Sequence, residues 1–153
     1  MPADVKIRPV TAADREAWAP LWDGYNAFYE RQGPTALPPE ISDVTWARFL
    51  DSDEPVHALV AELDGRLVGL VHYLFHRSTT SIPLVVYLQD LFTAESARGA
   101  GVGRALIEAV YTAARDAGVE RVYWHTHETN ATARALYNTL ADDSGFVVYR
   151  QTV

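Results

Sequence analysis

Arg98-Gly99-Ala100-Gly101-Val102-Gly103-Arg104 is the stretch on which the fold turns. Upstream of it, Leu84 to Phe92 is almost continuously apolar, the pattern of a central strand covered on both faces. Downstream, Gly101 to Ala117 is amphipathic, with Val102, Ala105, Leu106, Ala109 and Ala113 on one side, and Gly118 closes it. A glycine-rich turn from a strand into a helix presents backbone N–H groups with little cover. The helix N-terminus adds the positive end of its macrodipole, so the turn suits a phosphate or pyrophosphate. The alternative is a tight strand-to-helix turn with no ligand. Three glycines at alternate positions between two arginines favour the anion site.

The neighbouring residues narrow the ligand. A Walker loop closes with Gly-Lys-Ser/Thr, whereas this one closes Gly103-Arg104-Ala105 and offers no hydroxyl for magnesium. A dinucleotide fingerprint reads Gly-x-Gly-x-x-Gly, and the third glycine here comes one residue early. The acidic residue at the right separation, Glu120, opens the following strand instead of ending it. Both nucleotide readings are poor.

The loop resembles the acetyl-CoA loop of the Gcn5-related N-acetyltransferases, Arg/Gln-x-x-Gly-x-Gly/Ala, at every fixed position. Asn130, Leu136 and Tyr137 resemble that family's second signature, an asparagine followed seven residues later by a tyrosine. The likeness spans most of the chain and is strongest from Tyr87 to Tyr149. Trp22, Tyr25 and Tyr29, together with Tyr123-Trp124-His125-Thr126-His127-Glu128-Thr129-Asn130, resemble the fungal histone and D-amino-acid branch.

The resemblance implies an α/β (α+β) fold with a mixed, mostly antiparallel central sheet flanked by helices on both faces. It implies acetyl-CoA as co-substrate, without a metal, entering where the strands Leu84–Thr93 and Val119–Thr126 splay apart. Leu91, Phe92 and Thr93 would then hold the pantetheine by their backbones and aim an N–H at the thioester carbonyl. A donor of that kind contributes about 2.7–4 kcal/mol in comparable sites. Arg98, Gly99, Ala100, Gly101, Val102, Gly103 and Arg104 would take the pyrophosphate, and Asn130 would orient the cofactor or cap the last helix.

Tyr137 is implied as the acid that protonates the departing thiolate, since a phenol near pKa ~10 is neutral at pH 7. The base is less defined. In spermidine/spermine-type relatives, whose strand reads Tyr-Leu-Glu-Asp, a glutamate stands where this chain has Gln89, which cannot take a proton. Asp90 follows on the opposite face of the strand and is the candidate base, with structural hydrogen bonding as its alternative. Trp22, Tyr25, Tyr29 and Gln89 are the candidate acceptor-binding residues; the rings either form core or offer cation–π contact to an amine. His125 and His127 lack a third ligand nearby in sequence, and His72 and His76, four apart, lie on a strand, where helix-type zinc spacing does not apply.

Composition sets wider limits. The chain has 153 residues, 48% of them apolar, and reads as one globular domain with a proper core, which the resemblance implies is a single N-acetyltransferase domain over 1–153. Its net charge of −7 argues against nucleic acid and allows electrostatic steering of a cationic substrate. No window matches a membrane span, Met1 to Lys6 does not read as a signal peptide, and the cysteine count is 0, so a cytoplasmic location is expected.

Val5 to Val10 reads as a first strand ended by Pro9, with Thr11 as an N-cap answered by Asp14. Trp18, Leu21, Trp22, Tyr25, Phe28 and Tyr29 form one face of a helix, and Ser42 to Leu50 a second. Val56–Leu63 and Arg66–Phe75 form a hairpin through Asp64-Gly65. Val119–Thr126 reads as a strand, Ala131–Leu140 as a helix and Phe146–Tyr149 as a final strand. The family usually adds one more strand, so the sheet is expected to be short or completed by a second subunit in a homodimer. The function expected is transfer of an acetyl group to a primary amine of a small molecule, such as a polyamine or amino acid. A weakly catalytic acyl-CoA sensor of the same fold and a protein-lysine acetyltransferase are the alternatives.

Overall fold

A computed structural model describes residues 4–153. Five strands, β1 (Lys6–Pro9), β2 (Val56–Leu63), β3 (Arg66–His76), β4 (Val85–Thr93) and β5 (Val122–Tyr123), form one sheet in sequence order. All neighbours are antiparallel except β4 and β5. On one face lie α1 (Arg15–Phe28) and α2 (Pro39–Phe49); on the other lie α3 (Val102–Asp116) and α4 (Ala131–Tyr137). Among the described residues, no helix is long and apolar enough to cross a membrane.

The hairpin forms as the sequence predicts. Leu63 faces Arg66 across Asp64 and Gly65, both at positive φ, the two-residue turn that matches strand twist. Asp14 answers Thr11, accepting its backbone N–H at 2.7 Å, although the first turn it opens is 3-10. The Pro38-Pro39 pair does not merely break the chain. Pro39 starts α2, where its missing N–H costs nothing, so that helix begins earlier than Ser42.

Two expectations fail at the C-terminal end. The strand expected over Val119–Thr126 keeps only Val122 and Tyr123, because the chain leaves the sheet after that pair. The strand expected over Phe146–Tyr149 does not form: these residues carry no regular structure, and Phe146 and Tyr149 are fully exposed. Asp143 and Ser144 bend the chain ahead of it by accepting the N–H groups of Gly145 and Phe146.

The decisive irregularity lies in β4. Leu88 pairs with Tyr73 and Asp90 with His72, which leaves Gln89 as an unpaired bulge residue. Val86 and Leu88 therefore pack toward α3, whereas Phe92 packs toward α1 and Leu91 takes over the α3 side. One extra residue exchanges the two faces midway along the strand.

Candidate active site

Beyond the bulge, the β5 side of β4 is open. The pairing of β4 with β5 stops at Tyr87 and Tyr123, while β4 runs on to Thr93. Ala94 donates its N–H to Val68 of β3 at 2.8 Å. Alternation along the strand then turns the backbone of Phe92 toward β3, and those of Leu91 and Thr93 toward the open edge. Two of the three expected backbones thus face the splay. Phe92 contributes its ring instead, packed so closely on Gly24 that a Cβ there would lie 2.8 Å from Cζ.

At the end of that edge, Gly99 and Gly101 adopt φ of 82° and 80°, a left-handed geometry that favours glycine. Gly101 caps α3, whose first internal bond runs from the Ala105 N–H to the Gly101 carbonyl at 3.0 Å. The N–H groups of Val102, Gly103 and Arg104 precede that bond and meet no acceptor among the described residues. Gly103 is helical, and a Cβ there would touch only Leu136 and Thr93 Oγ1 at ordinary distances. Arg98 is exposed at the start of the loop. Arg104 is partly committed, donating to Thr139 Oγ1 at 2.8 Å and so tying α3 to the segment after α4.

Asn130 caps α4, its Oδ1 accepting the Ala133 N–H at 3.3 Å. Tyr137, at the last position of α4, is half-buried and meets Trp124 edge to face at 5.4 Å. Burial pushes its phenol above the ordinary value, with a smaller contribution from Tyr29.

On the α1 side, Asp90 Oδ2 lies 2.9 Å from Nδ1 of His72, and the Trp18 indole N–H donates to His72 Nε2 at 3.1 Å. An indole can only donate, so Nε2 is the acceptor and Nδ1 carries the hydrogen to Asp90. Burial raises the Tyr25 phenol far above its usual range, and the adjoining Asp90 carboxylate raises it further. Gln89 projects to solvent. Trp22 belongs to the core: it is stacked between Trp18 and Tyr25, and its N–H is given to Ser42 at 2.9 Å.

Tyr25 and Tyr29 each already carry a cation on one ring face. The Arg31 guanidinium lies over both, at 5.8 and 5.3 Å. Sequence reasoning missed Arg31, which belongs to no periodic pattern, and missed His72 and Trp18, whose link to Asp90 depends on strand register. It quoted Tyr123 but missed its pairing with Tyr87, stacked at 5.0 Å at the start of the splay, where His125 bonds the Tyr87 hydroxyl and His76 that of Tyr123. His127 bonds Thr129 instead, away from His125.

This combination of splayed strands, bulge and unsatisfied helix N-terminus can be set against known proteins. Residues 18–141 match the model of the acetyltransferase (GNAT) family. The chain belongs to that family. It is 36% identical to the D-amino-acid N-acetyltransferase HPA3 of Saccharomyces cerevisiae, covering 96% of this chain and 90% of that protein. It is 31% identical to the N-acetyltransferase YhfO of Bacillus subtilis, covering 95% of each. The structure of aminoglycoside acetyltransferase AAC(6')-Iy with a CoA-based bisubstrate analogue superposes with a TM-score of 0.83 over 99% of both chains, at 19% identity. That last likeness speaks for the fold alone. As a GNAT member the protein is an N-acetyltransferase.

Proposed function

We propose that this acetyltransferase transfers the acetyl group of acetyl-CoA to a primary amine of a small molecule by direct attack. One observation carries the reading: an open β4 edge runs into a helix N-terminus with three unsatisfied N–H groups, with Asp90 carried on that strand and Tyr137 ending the helix that follows β5. The site fits the co-substrate, because nothing lies within 4 Å of a Cβ at Gly99 or Gly101 and only ordinary contacts would meet one at Gly103. When bound, acetyl-CoA supplies an activated acyl group and a thiolate leaving group.

The N–H groups of Val102, Gly103 and Arg104, with the cations of Arg98 and Arg104, would hold the pyrophosphate, with Gly99 and Ala100 giving it room. Leu91 and Thr93 would hold the pantetheine by their backbones, and Phe92 fixes the strand against α1. Asn130 starts α4 and thereby sets where Tyr137 stands. Tyr137 gives its proton to the departing sulfur. Asp90 takes the proton of the attacking amine, through the phenol of Tyr25 that adjoins it. Tyr29 and Gln89 line the approach. The yeast relative, named for D-amino acids, supports a small acceptor. The exposed apolar run at Phe146–Tyr149 supports a homodimer, which sedimentation would test.

The deciding experiment incubates the protein with acetyl-CoA and a panel of amines, scoring thiol release and the mass of the product. Amine-dependent release with an N-acetyl product is expected. Stabilisation by acetyl-CoA without release on any amine would instead make this an acyl-CoA-binding module.

A further inference from the structure

Arg31 is placed by an unusual turn. At the end of α1, Glu30 gives its N–H to the Ala27 carbonyl and Arg31 gives its own to Asn26, the paired bonds that close a helix with a left-handed residue. Glycine usually takes that position, yet here it is Glu30, at φ 63°. A left-handed side-chain-bearing residue costs about 1–2 kcal/mol. The turn folds Arg31 back over the rings of Tyr25 and Tyr29.

Its side chain is then locked at one nitrogen. Asn26 is buried and donates its Nδ2 to the Trp22 carbonyl at 2.9 Å, which fixes the amide so that Oδ1 accepts Arg31 Nε at 2.7 Å. The terminal nitrogens Nη1 and Nη2 meet no acceptor among the described residues, although acidic residues number 20 in the chain. By contrast Arg8, Arg15 and Arg134 each hold a carboxylate. Tyr29, beneath the guanidinium, packs 5.1 Å from Tyr25, which stacks on Trp22 in the aromatic cluster around His72, the partner of Asp90. The two open nitrogens therefore stand at the mouth of the site. Arg31 also borders a groove of about 510 Å³ shared with Asp23 and Ser42.

We propose that Arg31 recognises a carboxylate of the acceptor, so that the acceptor class is a free amino acid and not a polyamine or other polycation. A guanidinium held by Nε presents its remaining nitrogens as a planar fork, which matches a carboxylate in two parallel hydrogen bonds. The same charge repels a polycation and already occupies one face of Tyr25 and of Tyr29. This rests on the acetyl-transfer reading above.

The test compares an amino acid with its own carboxamide, for instance D-phenylalanine and D-phenylalaninamide, in the wild-type protein, Arg31→Gln and Arg31→Lys. Charge-assisted hydrogen bonds of 1.5–3 kcal/mol correspond to about 10–100-fold. In Arg31→Gln the kcat/KM ratio of acid to amide should fall by about that factor, through KM for the acid, with KM for acetyl-CoA unmoved. Arg31→Lys should lie between, keeping charge but losing the fork. Calorimetry of the amino acid binding to the CoA complex should show the same ranking. An unchanged ratio, or a wild-type protein that turns over spermidine in preference to every amino acid, overturns the inference while acetyl transfer stands. No thiol release on any amine overturns the underlying reading itself.

Discussion

Nδ1 of His72 lies 2.9 Å from Oδ2 of Asp90, across the register step that follows the Gln89 bulge. Without the bulge, Asp90 would share a face with Val86 and Leu88 and enter the apolar core under α3. With it, the carboxylate reaches a buried histidine and the Tyr25 phenol. Replacing His72 with Ala leaves the Trp18 N–H unpaired and takes one partner from a buried carboxylate, so a loss of about 1–3 kcal/mol is expected from denaturant unfolding. Asp90→Asn keeps the shape and removes the charge. Turnover of the amine should fall by about 10²-fold, the lower range for a lost base. Wild-type turnover in a folded Asp90→Asn protein would leave Asp90 a structural partner of His72 only.

The glycine loop separates folding from binding. At Gly101, which is left-handed, a valine strains the backbone, so both stability and acetyl-CoA affinity should drop. At Gly103 the backbone is helical and a Cβ meets Leu136 at 3.5 Å. Gly103→Ala should therefore hold or raise stability, by up to about 1 kcal/mol, while KM for acetyl-CoA rises several-fold. A melting curve and a KM series check the two halves independently. Unchanged KM would mean that the backbone of Gly103 does not approach the ligand.

The loop, both signature motifs and the element order up to α4 were legible because each rests on local chemistry: glycine spacing, apolar periodicity, the Asp64-Gly65 turn. The bulge was not legible, since Gln89 differs in no local way from a paired strand residue. Everything downstream of it was hidden for the same reason, including the His72–Asp90 contact and the turn of Phe92's backbone away from the splay. The short apolar run Phe146–Tyr149 read as a strand, but a strand needs a neighbour, and the edge of β5 is two residues long. Arg31 was invisible because a left-handed glutamate carries no sequence signal.

Stability should depend on Asp14. The Arg8 guanidinium, 2.7 Å away, holds this carboxyl down at about 2, and the Thr11 N–H assists. A group whose folded pKa is depressed stabilises above its unfolded value, near ~3.9, and loses that contribution as pH falls through the folded one. Stability should thus decline from about pH 4 to pH 2, by on the order of 1–2 kcal/mol from this residue. Asp14→Asn should flatten that part of the curve and lower stability at pH 7. An identical acid limb in the variant would remove Asp14 from the account.

Tyr137 has the last role in the reaction, and its environment dictates the form of its test. Burial against Trp124 raises the phenol above ~10, so the proton is retained throughout the neutral and mildly alkaline range. The amine, by contrast, must lose a proton before it attacks. Rate should therefore rise with pH as the acceptor deprotonates, and no falling limb from Tyr137 should appear below about pH 10. Tyr137→Phe keeps the edge-to-face packing and deletes only the hydroxyl. Turnover should drop ~10²–10⁴-fold with little change in KM for acetyl-CoA, because the acid acts as the thiolate departs and not when the ligand binds. If the variant keeps wild-type turnover and the same pH profile, the thiolate leaves without this proton, and the tyrosine at the end of α4 serves packing alone.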